Sequence, residues 1–475
     1  MAPSLFWFRR DLRLGDHPGL HEAVARGGAD GVLPLFIIDE KVLGSSGPAR
    51  VEFLISCLEA LEQEMGSPLV VRVGEPVEVL REIVDETGVR DVVVSGDFAP
   101  SGIARDAVVE EALALKGVTL HRVSSPYAVD PGVVLSEKGL PLKVFTAFRR
   151  RWEITGPHVI LDAPGVKWLR APSTGDYETL RRLGGSRRPA LFDDFLDGPP
   201  VPLPPGGERA ALDRLGDFVD HDIDFYKERR DILSIQGTSG LSPYLRFGCI
   251  HPRTVLAASQ GPGEGRTTFR SEIGWREFYG DVLFHNPLSA NASLQPQMAE
   301  MEWDSGPAAK ERFRQWALGQ TGIPLVDAAM RQLKAEGLMH NRARMVAASF
   351  LVKHLHLDWR WGAKWFLWHL IDGDVASNQH GWQWTAGTGT DAAPFYRIFN
   401  PIAQAERFDT QGVYIHRWVP ELAGIEAPGV LQPGGGVDLL HQANYPQPMI
   451  DLKQEREEAL RRYSDARDRF HAKQE

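Results

Sequence analysis

Apolar residues near the start of the chain come in short runs at 4–8 and 31–38, and 69–73, 91–94 and 118–123 are further strand candidates. Apolar runs without period-2 alternation suit strands buried on both faces. Between them, 17–26, 49–65, 76–87 and 103–116 carry helical spacing. Strand and helix in alternation predict a parallel, doubly wound sheet. The turn after the first run reads Phe-Arg-Arg-Asp-Leu-Arg-Leu, with no Gly-x-Gly-x-x-Gly, which disfavours a dinucleotide-dependent dehydrogenase.

The texture changes from about residue 124 to 207, where Pro and Gly become frequent. Residues 198–207 read as a linker, and 146–152 as a helical piece within the segment. After Ala210 the pattern is mostly helical, with breaks at 285–287, 319–324 and 400–401. Pro324 opens a helix that Gly337 ends. A Pro/Gly-rich stretch at 427–436 precedes a charged helix at 452–473. The expected organisation is an α/β domain at 1–125, a linker at 126–207 and an all-helical domain at 208–475.

Composition narrows the class. No run approaches the roughly 20 apolar residues of a membrane span, and the first residues lack a signal-peptide pattern, so a cytoplasmic protein is expected. Cys57 and Cys249, the two cysteines, form neither a disulfide framework nor a metal-ligand set. Net charge is −10, yet 331–364 holds seven Lys/Arg against two acids. A local patch of that kind is enough for phosphate binding. Ten of the thirteen Trp fall after residue 208. For most of them core packing is the simple explanation, as with Trp365 and Trp368 one turn apart.

The densest chemistry lies at 372–397: Asp-Gly-Asp-Val-Ala-Ser-Asn-Gln-His-Gly-Trp-Gln-Trp, then a Gly/Thr-rich run, then Arg397. The segment reads as too irregular for one ordinary helix, and its polar and aromatic groups are costly to bury unless a ligand fills the space between them. A flavin nucleotide would do so. Three other segments converge on the same idea. Gly237-Thr238-Ser239-Gly240-Leu241-Ser242 offers N–H and O–H donors at a loop-to-helix junction, suited to phosphate. Glu272 and Trp275 share a helix face. In Met339-His340-Asn341-Arg342-Ala343-Arg344-Met345, the two arginines point to different sides of a helix.

Together with Phe6-Trp7-Phe8-Arg9-Arg10-Asp11-Leu12-Arg13, Thr321–Arg331 and Tyr445-Pro446-Gln447-Pro448, these segments resemble the photolyase/cryptochrome family. The resemblance is closest to the bacterial class I cyclobutane pyrimidine dimer photolyases. It implies an antenna domain, a long linker and a helical domain holding FAD. Tyr226, Thr238, Ser239, Gly240, Leu241 and Ser242 would serve the FAD phosphates. Asp372, Gly373 and Asp374 would hold the cofactor, Arg344 would pair with Asp372, and Asn378 would face the flavin. The implied chemistry is light-driven: reduced FAD donates an electron to a flipped-out pyrimidine dimer, whose ring opens. Trp275 and Trp384 would stack on the lesion. Glu272 would bond the thymine edge, with Asn341 and Met345 lining the pocket. Arg230, Arg342 and Arg397 would bind flanking phosphates, and Arg276 and Tyr279 would join the DNA-binding set. Trp382, Trp359 and Trp303 would pass electrons to the flavin, while Trp316 would be core.

Asn341 and Met345 stand where a (6-4) photolyase would carry His, and Asn378 where plant-type cryptochromes carry Asp. Repair of cyclobutane dimers is therefore expected rather than blue-light signalling. A nucleotide-binding electron-transfer flavoprotein could share the sheet but would not need the Trp-rich helices. For the antenna, Pro100-Ser101-Gly102 resembles the branch that binds an 8-hydroxy-5-deazaflavin, with Phe36 and Asp97 lining the pocket; folate or no chromophore are the alternatives. The expected partner is UV-damaged DNA, met by a monomer that uses no metal and no membrane.

Overall fold

The computed structural model describes residues 2–156, 159–192, 201–390, 396–436 and 444–473. It contains two compact units. The first comprises Met1–Arg188, Leu203–Lys227 and Ser239–Pro287; the second comprises Pro189–Pro202, Glu228–Thr238 and Leu288–Glu475. The units therefore interleave along the chain, whereas the composition suggested consecutive blocks.

The first unit is built on five parallel strands: β1 Ser4–Phe8, β2 Val32–Ile38, β3 Val70–Val73, β4 Asp91–Val94 and β5 Thr119–Arg122. Their order is β3-β2-β1-β4-β5, with Leu5 opposite Leu33 and Val92. Every residue of β1 and β2 is buried, as the unbroken apolar runs require. Only Leu120 is buried in β5, which lies at the sheet edge. The crossover helices Pro18–Gly27, Pro48–Met65, Pro76–Thr87 and Pro100–Ala114 match the helical stretches to within a few residues. Each opens on a proline, whose missing N–H costs nothing in a first turn.

The Phe6–Arg13 motif is held by partners elsewhere in the first unit. Arg9 pairs with Asp106 at 2.6 Å, and Ser95 Oγ donates to Asp11 at 2.6 Å. Beyond the motif, buried Asp16 accepts from Arg253 at 3.0 Å, while Arg13 donates to the Gly248 carbonyl at 3.1 Å. These bonds tie the end of β1 to the 248–254 stretch, which places that stretch in the first unit. Buried charges of this kind are tolerated only when paired and hydrogen-bonded. Near the expected antenna position, Asp97 is engaged by Arg105 at 3.3 Å and by the Ala99 N–H at 3.1 Å.

The 126–207 region is more structured than a linker. It holds helices Phe145–Thr155 and Tyr177–Leu183, the second capped by the Asp176 carboxylate. Residues 198–200 of the expected linker lie outside the described residues. Phe145–Thr155 buries Phe148 and Trp152 against the long helix Glu264–His285.

The second unit is helical: Gly306–Leu318, Pro324–Glu336, Asn341–Lys353, Trp359–His369, Val375–Ala386, Pro401–Phe408, Val413–Trp418 and Leu452–Ala472. Pro324 and Gly337 bound their helix as expected. The core is rich in aromatic residues, among them Trp316, Trp359, Trp365 and Trp382. Two motifs meet at fully buried Asp327. Its carboxylate accepts from Thr321 N–H and Oγ1, from Gly322 N–H and from Tyr445 Oη at 2.5 Å. The neighbouring carboxylate holds the Tyr445 hydroxyl well above its usual pKa, though desolvation is the larger cause. Gly322 has φ +74°, and a Cβ there would lie 2.4 Å from the Gln447 carbonyl oxygen. Among the described residues, no helix is long and apolar enough to cross a membrane.

Candidate functional site

The 372–390 part of the chemistry-rich segment is more regular than its sequence suggested. Asp374 caps a helix over Val375–Ala386, accepting from the Ser377 N–H at 3.0 Å. Its polar side chains are buried without a ligand because the chain supplies their partners. Gln379 Nε2 donates to the Ala290 carbonyl at 2.6 Å, and Gln383 Nε2 to the Ser289 carbonyl at 2.7 Å. Gln383 Oε1 accepts from Leu294 N–H at 2.8 Å. Buried His380 bonds Ala376 O and Ser289 Oγ, and burial holds its pKa below the usual imidazole range. This face of the helix therefore serves the loop around 289–294. The expectation that the whole polar set needed a ligand is corrected: part of it is fold. Residues 391–395 of the same segment lie outside the described residues.

The remaining candidate cofactor residues do leave room for a ligand. Arg344 donates through Nη2 to Asp372 Oδ2 at 2.8 Å and through Nε to Met339 O at 2.8 Å. Asp372 Oδ1 is buried with no hydrogen-bond partner. Such an orphan costs about 1–3 kcal/mol, so a donor on a bound molecule fits there. Gly373 is buried beside it. Asn378 donates through Nδ2 to Ala363 O at 3.1 Å and Gln379 Oε1 at 2.8 Å, which leaves its amide oxygen as an acceptor. A neutral amide beside a half-satisfied carboxylate suits the polar edge of an FAD molecule.

The same helix carries two tryptophans in different settings. Trp382 is 3 % exposed and meets Phe366 edge-on at 4.8 Å and Trp316 at 6.1 Å. Its ring fits because residue 362 is glycine; a Cβ there would lie 2.1 Å from Trp382 Cη2. Trp359 is buried in the same core, and half-buried Trp303 packs against it. Trp316 is core as expected, donating Nε1 to the Ala347 carbonyl at 3.0 Å. Trp384, by contrast, is half-buried, with the Arg397 guanidinium 5.2 Å above its ring. The carbonyl of Arg397 accepts from Lys353, a buried lysine that also sits 4.2 Å over the Tyr396 ring. The sequence marks Lys353 only as one positive charge among seven.

That run of positive charge is mostly neutralised. Arg331 pairs with Glu421, Arg342 with Asp231, Arg344 with Asp372 and Arg360 with Asp358. The expectation of a basic patch spanning 331–364 is therefore corrected, because four of its charges face acids of the same unit. Arg342 also lies 4.4 Å over Phe408. Arg342 and Arg344 do diverge, as their spacing predicted. Exposed Asn341 and half-buried Met345 meet, Nδ2 to Sδ, at 3.7 Å. His340 caps their helix through Nδ1, accepting from Arg342 N–H at 3.1 Å; burial lowers its pKa to about 4. Arg230 is half-buried.

Thr238 ends the Glu228–Thr238 stretch of the second unit, and the remaining phosphate-loop residues belong to the first. There Gly240 takes φ +66°, a left-handed turn that favours glycine. Ser239 O accepts from Arg214 Nε at 2.7 Å, and Ser239 Oγ accepts from Leu241 N–H at 3.4 Å. Ser242 starts a short helix to Phe247 that no side chain caps. Tyr226 is buried edge-on against Phe218 and Phe269.

The helix Glu264–His285 carries Glu272, Trp275, Arg276 and Tyr279, and Glu272 and Trp275 are both half-buried. Trp275 stacks face to face on Phe145, with ring centroids 3.7 Å apart and planes at 11°. Tyr279 lies 5.5 Å from Trp275. Arg276 differs from expectation. It turns inward to the Leu245 carbonyl at 3.3 Å, to Glu277 at 3.3 Å and over the Tyr127 ring at 4.8 Å, because burying the Glu277 carboxylate calls for a cation beside it. Even so, burial raises the Glu277 pKa to about 7, and Arg276 offsets that only in part. Glu277 also accepts from Val129 N–H at 3.1 Å, a structural tie that sequence patterning did not signal.

Two cavities, of about 510 and 830 Å³, lie elsewhere. The smaller is lined by charged residues of the 454–462 stretch with Asp304 and His356, the larger by residues 60–64, 204–217 and Tyr244. Neither is lined by the cofactor residues discussed above.

Comparison with known proteins agrees with this chemistry. Residues 4–164 match the family described as DNA photolyase, and residues 269–465 match the FAD binding domain of DNA photolyase. A deoxyribodipyrimidine photo-lyase of Agrobacterium fabrum is 39 % identical, covering 98 % of this chain and 98 % of its own. A crystal structure of a bacterial class III photolyase from Agrobacterium tumefaciens is similar with TM-score 0.87, 37 % identity and 98 % of each chain covered. An archaeal photolyase structure from Sulfolobus tokodaii with two FAD molecules has TM-score 0.82 and 28 % identity, covering 97 % of this chain and 99 % of its own. On this similarity and the two family matches, the chain belongs to the DNA photolyase family.

Proposed function

We propose that this protein is a deoxyribodipyrimidine photo-lyase that repairs cyclobutane pyrimidine dimers in UV-damaged DNA. The observation that carries the reading is the Val375–Ala386 helix. It follows a half-satisfied carboxylate, Asp372, and presents a neutral amide, a buried indole and a half-exposed indole in turn. Bound FAD in its reduced form supplies the light-driven electron that opens the dimer. The chain's own residues bind, orient and wall off.

Asp372, oriented by Arg344, takes a donor from the cofactor at Oδ1; Gly373 and Asp374 line the same edge. Asn378 offers its amide oxygen as an acceptor and supplies no proton. Tyr226, Thr238, Ser239, Gly240, Leu241 and Ser242 serve the phosphates. Trp382, Trp359 and Trp303 are the indoles for passing electrons inward, from a half-buried ring to two buried ones. Trp275 and Trp384 stack on the flipped pyrimidines, each contact being worth about 1–3 kcal/mol. Glu272 bonds a base edge, and Asn341, Met345 and Tyr279 serve lesion binding. Arg230 and Arg397 meet phosphate, whereas Arg342 does so only by sharing its charge with Asp231. The Asn341–Met345 patch offers no imidazole, which removes a proton donor for (6-4) lesions. A signalling role without repair is not favoured.

For the antenna, a deazaflavin-type chromophore is our reading, supported by Pro100-Ser101-Gly102; a folate or none is the alternative. The protein acts as a monomer in the cytoplasm. The test is to illuminate the reduced holoenzyme with blue light in the presence of oligonucleotides containing either lesion. Loss of the cyclobutane dimer alone is expected. Loss of neither lesion, or of the (6-4) lesion alone, would overturn the reading.

A further inference from the structure

The Phe145–Thr155 helix seats Phe148 and Trp152 on the Glu264–His285 helix, with Phe148 5.3 Å from Phe278. Phe145 continues that seam outward to Trp275. Both rings are half-buried, so neither is an ordinary core residue. Aromatic neighbours usually meet edge-on or offset. Here the planes differ by only 11° with centroids 3.7 Å apart, so one face of the indole is covered. Phe278 braces the pair, edge-on to Phe145 at 5.8 Å and to Trp275 at 5.7 Å.

We propose that Phe145 is a positioning residue for lesion binding: it backs one face of Trp275 and fixes the ring plane, so that the other face is offered to the flipped dimer. The proposal rests on Trp275 being a lesion-stacking residue. An indole held in one rotamer before binding loses less freedom when a base stacks on it. Removing the backing ring frees Trp275 without touching cofactor or substrate.

The test compares reduced holoenzyme carrying Phe145→Ala, Phe145→Leu, Phe145→Tyr or Trp275→Ala. Each is titrated with dimer-containing and undamaged oligonucleotide, and its repair is followed against DNA concentration. For Phe145→Ala, dimer affinity falls roughly three- to tenfold. Selectivity over undamaged DNA falls with it, and KM rises while kcat is retained. Phe145→Leu keeps the apolar volume but lacks a planar face, so it shows the same loss even if the alanine variant folds poorly. Phe145→Tyr restores binding. If Trp275→Ala weakens dimer binding but Phe145→Leu does not, the backing role is wrong while the stacking role stands. Tighter binding by Phe145→Ala would also overturn it, because Phe145 would then cover the face the lesion needs. If Trp275→Ala itself has no effect, both readings fall.

Discussion

Trp382 and Trp384 are two residues apart on one helix, yet they meet different surroundings. Trp382 is enclosed by Phe366, Trp316 and the space that Gly362 leaves. Trp384 keeps part of its surface accessible beneath Arg397. A two-residue step turns a helical side chain by roughly 200°, so one indole faces core and the other a polar surface. A buried, immobile ring suits electron passage, whereas an accessible face suits stacking on a base. The residue type does not decide the role; the helix face does.

The largest disruption should come from the cofactor-holding group on which both roles depend. Asp372→Ala leaves Arg344 without its carboxylate and removes the orphan oxygen. Breaking a buried pair costs about 3–5 kcal/mol, and the low end is expected because Arg344 keeps 27 % of its side chain in solvent. FAD content after gel filtration should drop sharply, and with it both photoreduction and dimer repair. Trp384→Ala should split the two roles. Dimer affinity falls by about 1–3 kcal/mol, read by titration, with flavin photoreduction retained. Gly362→Ala makes the opposite probe, pushing a methyl into Trp382. Overpacking of this kind costs about 1–3 kcal/mol, visible as a lower melting temperature with dimer binding retained below it.

A pH experiment should leave both indoles alone. His340 caps its helix as a neutral acceptor, and its pKa is lowered from 6.5 to about 4 by burial. The unfolded chain therefore takes up the proton first as pH falls. The stabilisation is fully present above pH 6.5 and is lost between 6.5 and about 4. Chemical melts across that window should show the loss, and His340→Asn, which keeps a cap without titrating, should flatten it. At neutral pH none of this stability is lost, which makes the expected change the smallest of the four.

Much of this was legible in the sequence because local rules agreed with the fold. Apolar runs marked β1 and β2, Pro324 and Gly337 marked the ends of one helix, and the family resemblance implied the Arg344–Asp372 pair, which opposite charges make physically reasonable. The helix at Val375–Ala386 was missed because Gln379, His380 and Gln383 look like ligand groups. Gln379 and Gln383 bond backbone groups about 90 residues earlier in the chain, and His380 bonds the Ser289 hydroxyl there as well as its own helix; no spacing rule reports those distant partners. The basic run at 331–364 misled for a related reason: its counterions at Asp231 and Glu421 are distant in sequence. Phe145 gave no signal because its value lies in the angle it makes with another ring.

The division of labour between the two tryptophans is tested most directly by one paired measurement. Prepare Trp382→Phe and Trp384→Phe holoenzymes, and record on each sample both light-driven flavin reduction and affinity for dimer-containing DNA. Trp382→Phe should lose photoreduction and keep dimer affinity; Trp384→Phe should keep photoreduction and lose affinity. If both variants lose the same property, or if the two losses are exchanged, burial does not assign these indoles their roles.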